Sequence, residues 1–137
     1  MSARSDRLAR RLAAIPATVK AAVAPALIKS GDELVRTMQA LAPQDTGKLK
    51  ASLVSTPPGQ ATPAYSQPGG SRVAGENEVL VTAGDKEVRY AHLVEYGTKE
   101  AHAQPYFWPA YRLNKKRIQN RVKRAIGKAV RADWGKT

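Results

Sequence analysis

The chain has 137 residues, a net charge of +12 and no cysteine, which suits one domain and excludes disulfide staples and thiolate metal sites. Apolar residues make up 42% and aromatics 6%, so a core has to come mostly from Ala, Val, Leu and Ile and is thin. Lys20, Pro25 and Lys29 interrupt the longest apolar stretches, far short of the run of about 20 apolar residues that spans a bilayer, so a soluble protein with no membrane contact is expected.

The charge is uneven. Residues 1–30 carry +5, residues 31–100 carry −2 and residues 101–137 carry +9. A polyanion or an acidic neighbouring subunit is therefore expected to meet the terminal segments. Arg4, Arg7, Arg10 and Arg11 ahead of Ala13 to Ile15 faintly imitate a targeting peptide, but Leu8, Leu12, Ile15 and Val19 have the spacing of an ordinary amphipathic helix.

From about Ser5 to Ala42 apolar residues recur at helical spacing, continuing through Val23, Leu27, Leu34, Met38 and Leu41. Pro16 and Pro25 predict kinks or breaks, and Ser30 to Glu33 has the form of a capping box. The expectation is a weaker helix before Ala26 and a firmer one from about Asp32 to Leu41. Pro43 stops it, and Gln44-Asp45-Thr46-Gly47 reads as a turn.

Leu49 to Thr56 reads as a strand by alternation. Residues 57–77 are rich in Pro and Gly and predict a flexible loop. Glu78 to Ala83 and Val88 to Tyr96 read as two strands joined by a turn at residues 84–87. Gly97 to Glu100 ends the second. Pro105 and Pro109 then bracket Tyr106-Phe107-Trp108, and Pro109 suits the first turn of a last helix running to about Ala132. Its apolar stripe is Ala110, Leu113, Ile118, Val122, Ala125, Ile126 and Ala129. Helix, strands and helix make an α+β domain: a kinked or split N-terminal helix, a small antiparallel sheet of three to four strands and a long C-terminal helix. Residues 1–137 form a single domain in this reading, with mobile ends at about 1–6 and 133–137.

Three segments in order carry a resemblance. Leu41-Ala42-Pro43-Gln44-Asp45-Thr46-Gly47-Lys48-Leu49-Lys50-Ala51-Ser52-Leu53, then Tyr90-Ala91-His92-Leu93-Val94-Glu95-Tyr96-Gly97-Thr98, then Gln104-Pro105-Tyr106-Phe107-Trp108-Pro109-Ala110, are similar to the conserved segments of the siphophage head-tail joining family, also called tail-component or tail-completion proteins. The long Pro/Gly segment and the proline-interrupted first helix depart from the family's usual pattern. The resemblance implies a structural virion protein, not an enzyme, forming a homo-oligomeric ring, six-fold, in the neck of a tailed phage. Its implied neighbours are the portal or head-closure adaptor on one side and the tail terminator or tail tube on the other. It also implies assembly in the bacterial cytoplasm, no cofactor, and a lumen through which double-stranded DNA passes.

Each sharp reading has a plain alternative. Asp45-Thr46-Gly47 matches the aspartic-protease triplet, but it follows a helix and Pro43, so a turn is favoured over catalysis. His92 and His102, near Glu95 and Glu100, lack metal-site spacing and read as packing or solvation. Tyr106, Phe107 and Trp108 anchor the last helix more readily than they stack bases. Glu95 either pairs with a basic neighbour across the ring or caps the strand end in solvent. The basic residues Lys115, Lys116, Arg121, Lys123, Arg124, Lys128 and Arg131 form either a solvated face or a surface toward DNA or an acidic partner. Residues expected to carry assembly are Asp45, Thr46 and Gly47 in the turn, Tyr90, Glu95, Tyr96 and Gly97 on the strand, and Phe107, Trp108 and Pro109 at helix docking. A free-standing basic nucleic-acid-binding protein is the competing function.

Overall fold

The computed structural model describes residues 17–43, 47–99 and 102–134. In chain order these form helix α1 (Ala17–Leu41), a helical turn α2 (Lys48–Ala51), strand β1 (Val54–Thr56), strand β2 (Leu80–Thr82), short helix α3 (Ala91–Tyr96) and long helix α4 (Phe107–Trp134). The α+β arrangement is as expected, with a sheet of two strands rather than three to four.

Helix α1 buries Val19, Val23, Leu34 and Met38, the positions that its helical periodicity picks out. It packs along α4 with opposite chain direction: Thr37 meets Asn114, Glu33 meets Arg117 and Arg121, and Ser30 meets Arg121. Of the two expected forms, kinked or split, the split does not occur, since α1 runs unbroken through Pro25 and Ser30. Pro25 sits on the exposed side, where losing one backbone bond, at a cost of about 3 kcal/mol, is outweighed by the buried face that continues on either side of it. Ser30 caps nothing. Its hydroxyl donates to the carbonyl of Ala26 one turn back, a bond available only inside a helix. Pro16 and the region before it lie outside the described residues.

Two segments read as strands are helical. Lys48–Ala51 is a helical turn, and only Val54–Thr56 is extended. Leu49 and Leu53 are both buried while Ala51 between them is exposed, which a strand with all three on one face cannot achieve. Ala91–Tyr96 is likewise a helix, with Ala91 and Glu95 buried and Val94 half-buried. Apolar residues at both even and odd positions there were a sign of three-to-four spacing, not of a strand covered on both sides.

Strands β1 and β2 pair antiparallel, with Val54 opposite Thr82, Ser55 opposite Val81 and Thr56 opposite Leu80. Helix α1 crosses them closely enough that a β-carbon on Gly31 would meet the Ser55 hydroxyl and Val79 Cγ1. The Pro/Gly segment folds back on itself. Thr62 N–H donates to the Arg72 carbonyl and Ala74 N–H to the Gln60 carbonyl, both at 2.8 Å. Gln67 pairs in both directions with Ala83 just past β2. The turn at residues 84–87 is present, built on Asp85, whose Oδ1 accepts the N–H groups of Glu87 and Val88 at 2.9 Å each. It leads into α3 rather than into a strand.

The core lies where α1, α2, the sheet, α3 and the start of α4 converge, with Met38, Ala110, Ala91 and Tyr106 almost wholly enclosed. On α4, Ala110, Ile118, Val122, Ala125 and Ala129 turn inward as expected. Leu113 does not: it is 72% exposed, and Asn114 takes the inward position. Ile126 is also on the outer side. The expected mobile ends lie outside the described residues, except that 133 and 134 complete α4.

Candidate functional site

The site grows from the way α3 is set against the first turn of α4. The opening amides of any helix lack intrahelical acceptors, and the helix dipole favours negative charge beside them. Glu95, near the end of α3 and 6% exposed, fills this role. Its Oε1 accepts the N–H groups of Tyr106 at 2.8 Å and Phe107 at 2.7 Å, and its Oε2 that of Trp108 at 3.3 Å. A carboxylate is costly to bury alone but tolerable when charge-assisted bonds surround it. Glu95 therefore neither meets solvent nor reaches outward, and both expectations for it are replaced by a cap on the last helix.

Around this carboxylate the aromatic run divides. Tyr106 is enclosed, and its hydroxyl donates to the Ala91 carbonyl at 3.0 Å, tying α4 back to α3. Burial, then the charge of Glu95 and the nearby Tyr96, push its phenol well above the usual tyrosine range. Phe107 is also in the core and meets Tyr106 edge-on, with centroids 6.5 Å apart. Both anchor the helix, as the plain reading held.

Trp108 points outward. It makes edge contacts with Phe107 at 5.0 Å and Tyr111 at 6.2 Å, and its indole N–H donates to the Tyr96 hydroxyl at 2.7 Å. Tyr96 (66% exposed), Trp108 and Tyr111 thus form a continuous aromatic surface beside α3, where Tyr90 and Leu93 are also exposed. The Trp108 side of this surface borders a shallow cleft of about 90 Å³ reaching to Pro68 and His92. Pro109 lies in the first turn of α4, where its missing N–H has no partner to lose.

Of the other expected assembly residues, Gly97 ends α3 at φ 78°, with its N–H donating to the Leu93 carbonyl at 2.7 Å. Gly47 precedes α2 at φ 72°. Asp45 and Thr46 lie outside the described residues. Tyr90, Glu95 and Tyr96 belong to α3 and its N-terminal edge, not to a strand. His92 and His102 are exposed, and the described residues contain no cluster of three or more possible metal ligands. None of the described helices is long and apolar enough to cross a membrane.

The basic helix is split in role. Lys115, Lys116, Lys123, Arg124, Lys128 and Arg131 are exposed. Arg121 is not: its side chain is 14% exposed and faces α1, donating to Glu33 Oε2 at 2.6 Å and to the Ser30 hydroxyl at 3.0 Å. Arg117 reaches the other oxygen of Glu33 at 3.2 Å. The hydrogen bond from Arg121 chiefly holds the Glu33 carboxyl below the ordinary carboxylate range, against the opposing effect of burial. Asn114 continues this polar seam, donating to the Thr37 hydroxyl at 3.1 Å and the Ala110 carbonyl at 2.9 Å. Sequence reasoning missed the seam. Its signal was available in Ser30, Glu33 and Thr37, which share the apolar face of α1, and in Asn114 and Arg121, which share that of α4.

A family model described as "Bacteriophage HK97-gp10, putative tail-component" matches residues 6–97. No curated protein and no solved structure matches the chain.

Proposed function

Since this chain belongs to the HK97 gp10-like family of bacteriophage tail components, we propose that it is a structural subunit of the phage neck, acting by shape and self-association rather than by catalysis. In this reading copies form a ring, six-fold, between the portal or head-closure adaptor and the tail terminator or tail tube, and the ring encloses the path of the DNA. The observation that carries the proposal is the family match, which takes in residues 45–47 and the whole of α3. Two features of the fold support it. Glu95, the most enclosed acid among the described residues, is committed to three backbone amides at the start of α4 and so serves the fold. The aromatic surface of Tyr96, Trp108 and Tyr111 leaves ring area in solvent that a subunit contact can cover.

A second reading, a free-standing nucleic-acid-binding protein, draws on the exposed Lys115, Lys116, Lys123, Arg124, Lys128 and Arg131. In the ring reading the same residues face DNA in the lumen or an acidic neighbour. Mass photometry of the purified protein, alongside duplex binding titrated with salt, separates the two. The neck reading expects a discrete higher oligomer, or a monomer that assembles on neighbouring virion proteins, with weak, sequence-independent DNA affinity. A monomer that binds duplex tightly at moderate salt and never assembles would overturn it.

A further inference from the structure

We propose that the Tyr96–Trp108–Tyr111 surface of one copy seats the acidic turn at Glu76 and Glu78 of a second copy, making a head-to-tail contact between neighbouring subunits. The inference rests on the ring reading and names the surfaces that would build it.

The receiving side is more than an exposed apolar patch. Trp108, Tyr111, Arg112 and Lys115 stand three and four residues apart and so share one face of α4, all exposed. Tyr96 is fastened to that face by the indole hydrogen bond. The result is a rigid aromatic floor with two cations along its edge. Neither cation has an ion-pair partner among the described residues, where both ion pairs go to Glu33.

The inserting side has the opposite charge and an apolar residue beside it. Val73 is 65% exposed, and Glu76 and Glu78 follow it on an exposed turn closed by Gly75 N–H donating to Glu78 Oε1 at 3.1 Å. One Glu78 oxygen is thus used locally and the other is available. This turn feeds β2 at Leu80, opposite Thr56. The aromatic face belongs to the other end of the strand pair, where Ala83 and Ala91 join the core around Tyr106. Two complementary surfaces at opposite ends of one sheet cannot satisfy each other within a chain. Between copies they can, and a contact between unlike patches is the kind that propagates around a ring. Complementary charge at its edge would set register and suppress wrong pairings.

The absence of cysteine from the 137 residues gives a clean test on this chain. A chain carrying both Glu78→Cys and Arg112→Cys is treated with a short bismaleimide and resolved by denaturing electrophoresis. The expected result is a ladder of covalent multimers; an equal mixture of the two single variants should stop at dimers, and each single variant alone should give none. In parallel, Glu76→Lys with Glu78→Lys should raise the concentration needed for assembly about tenfold or more, and adding Arg112→Glu with Lys115→Glu should reverse that shift. Mass photometry of untreated protein distinguishes the failures. Rings that form normally with no ladder, and that ignore the charge reversals, overturn this contact and leave the ring intact. Protein that never assembles overturns this contact, and overturns the ring as well where the monomer binds duplex tightly at moderate salt; a double variant that crosslinks only within one chain overturns this contact alone.

Discussion

Arg121 reaches across from α4 to place its Nη2 2.6 Å from Glu33 Oε2 on α1, so a residue that reads as part of a surface charge run is a bolt between the two longest helices. Both side chains are mostly covered, at 14% and 16% exposure, and the arginine also holds Ser30. Hydrogen bonds to charged groups contribute more than neutral ones, about 1.5–3 kcal/mol each. Arg121→Met is therefore expected to lower stability by about 2 kcal/mol, whereas Lys123→Met, on the exposed side, should change it by no more than about 0.5 kcal/mol. Urea unfolding of the two variants checks this, and equal effects would contradict the inward placement of Arg121.

The same pair sets a pH dependence. The Glu33 carboxyl is held below its ordinary value of 4.5, so its contribution to stability is fully present above that value and is lost as pH falls through the depressed folded-state value. Thermal melts between pH 6 and pH 3, with ranges chosen by that linkage, should show a steeper fall for the native chain than for Glu33→Gln. A Glu33→Gln curve parallel to the native one would remove Glu33 as a source of acid sensitivity.

At Glu95 the carboxylate serves three donors, so its loss leaves buried N–H groups without acceptors. Glu95→Ala is expected to cost about 2–4 kcal/mol, and Glu95→Gln less, since one amide oxygen can still accept from Tyr106 and Phe107. Hydrogen exchange at the start of α4 provides the local readout. Protection there should fall in the Ala variant well before it falls in the middle of the helix.

Gly31 lies inside α1, where alanine would ordinarily be favoured by about 1 kcal/mol. Here a β-carbon would collide with the Ser55 side chain and come within 2.8 Å of Val79 Cγ1. The clash should win, making Gly31→Ala destabilising by about 1–3 kcal/mol. Pairing it with Ser55→Gly should recover part of the loss, and a double-mutant cycle by chemical denaturation measures the coupling.

Thr82 is buried, and its hydroxyl has no hydrogen-bond partner among the described residues. Valine has nearly the same shape and carries no group to desolvate. Thr82→Val should raise the melting temperature, by an amount equivalent to about 1 kcal/mol. A lowered melting point would mean that the hydroxyl is satisfied in solution.

Much of the fold was legible wherever one period dominated a long segment. Val19, Val23, Leu34 and Met38 mark α1, and Ala110, Ile118, Val122 and Ala125 mark α4, because burial against a partner helix repeats every three to four residues. Short segments misled. Leu49 and Leu53 fit alternation and helical spacing equally well over so few residues, and only the position of α1 above them selects the helical turn. Ala91 to Tyr96 went the same way, since the reason for a helix there is the need to bring Glu95 under the amides of Tyr106 and Phe107 eleven and twelve residues later. Proline and serine rules failed inside α1 because tertiary packing overrides local propensity. In the site, the glycine at 97 and the anchoring of Tyr106 and Phe107 could be read in advance, and the inward turn of Arg121 was signalled only by its place on the apolar face of α4; the outward turn of Trp108 could not be read, as it depends on how the start of α4 sits against α3.

The pairing of Gln67 with Ala83 limits what main chain can add beside the sheet. By exchanging both backbone bonds with Ala83, at 2.8 and 2.9 Å, the proline-rich segment occupies the hydrogen-bonding edge immediately beyond β2. A foreign strand cannot add itself there without first peeling the segment away. The end of the sheet is thereby closed at that point to main chain, which pairs with anything, and only side chains, whose chemistry can be chosen and refused, are left there to meet another molecule.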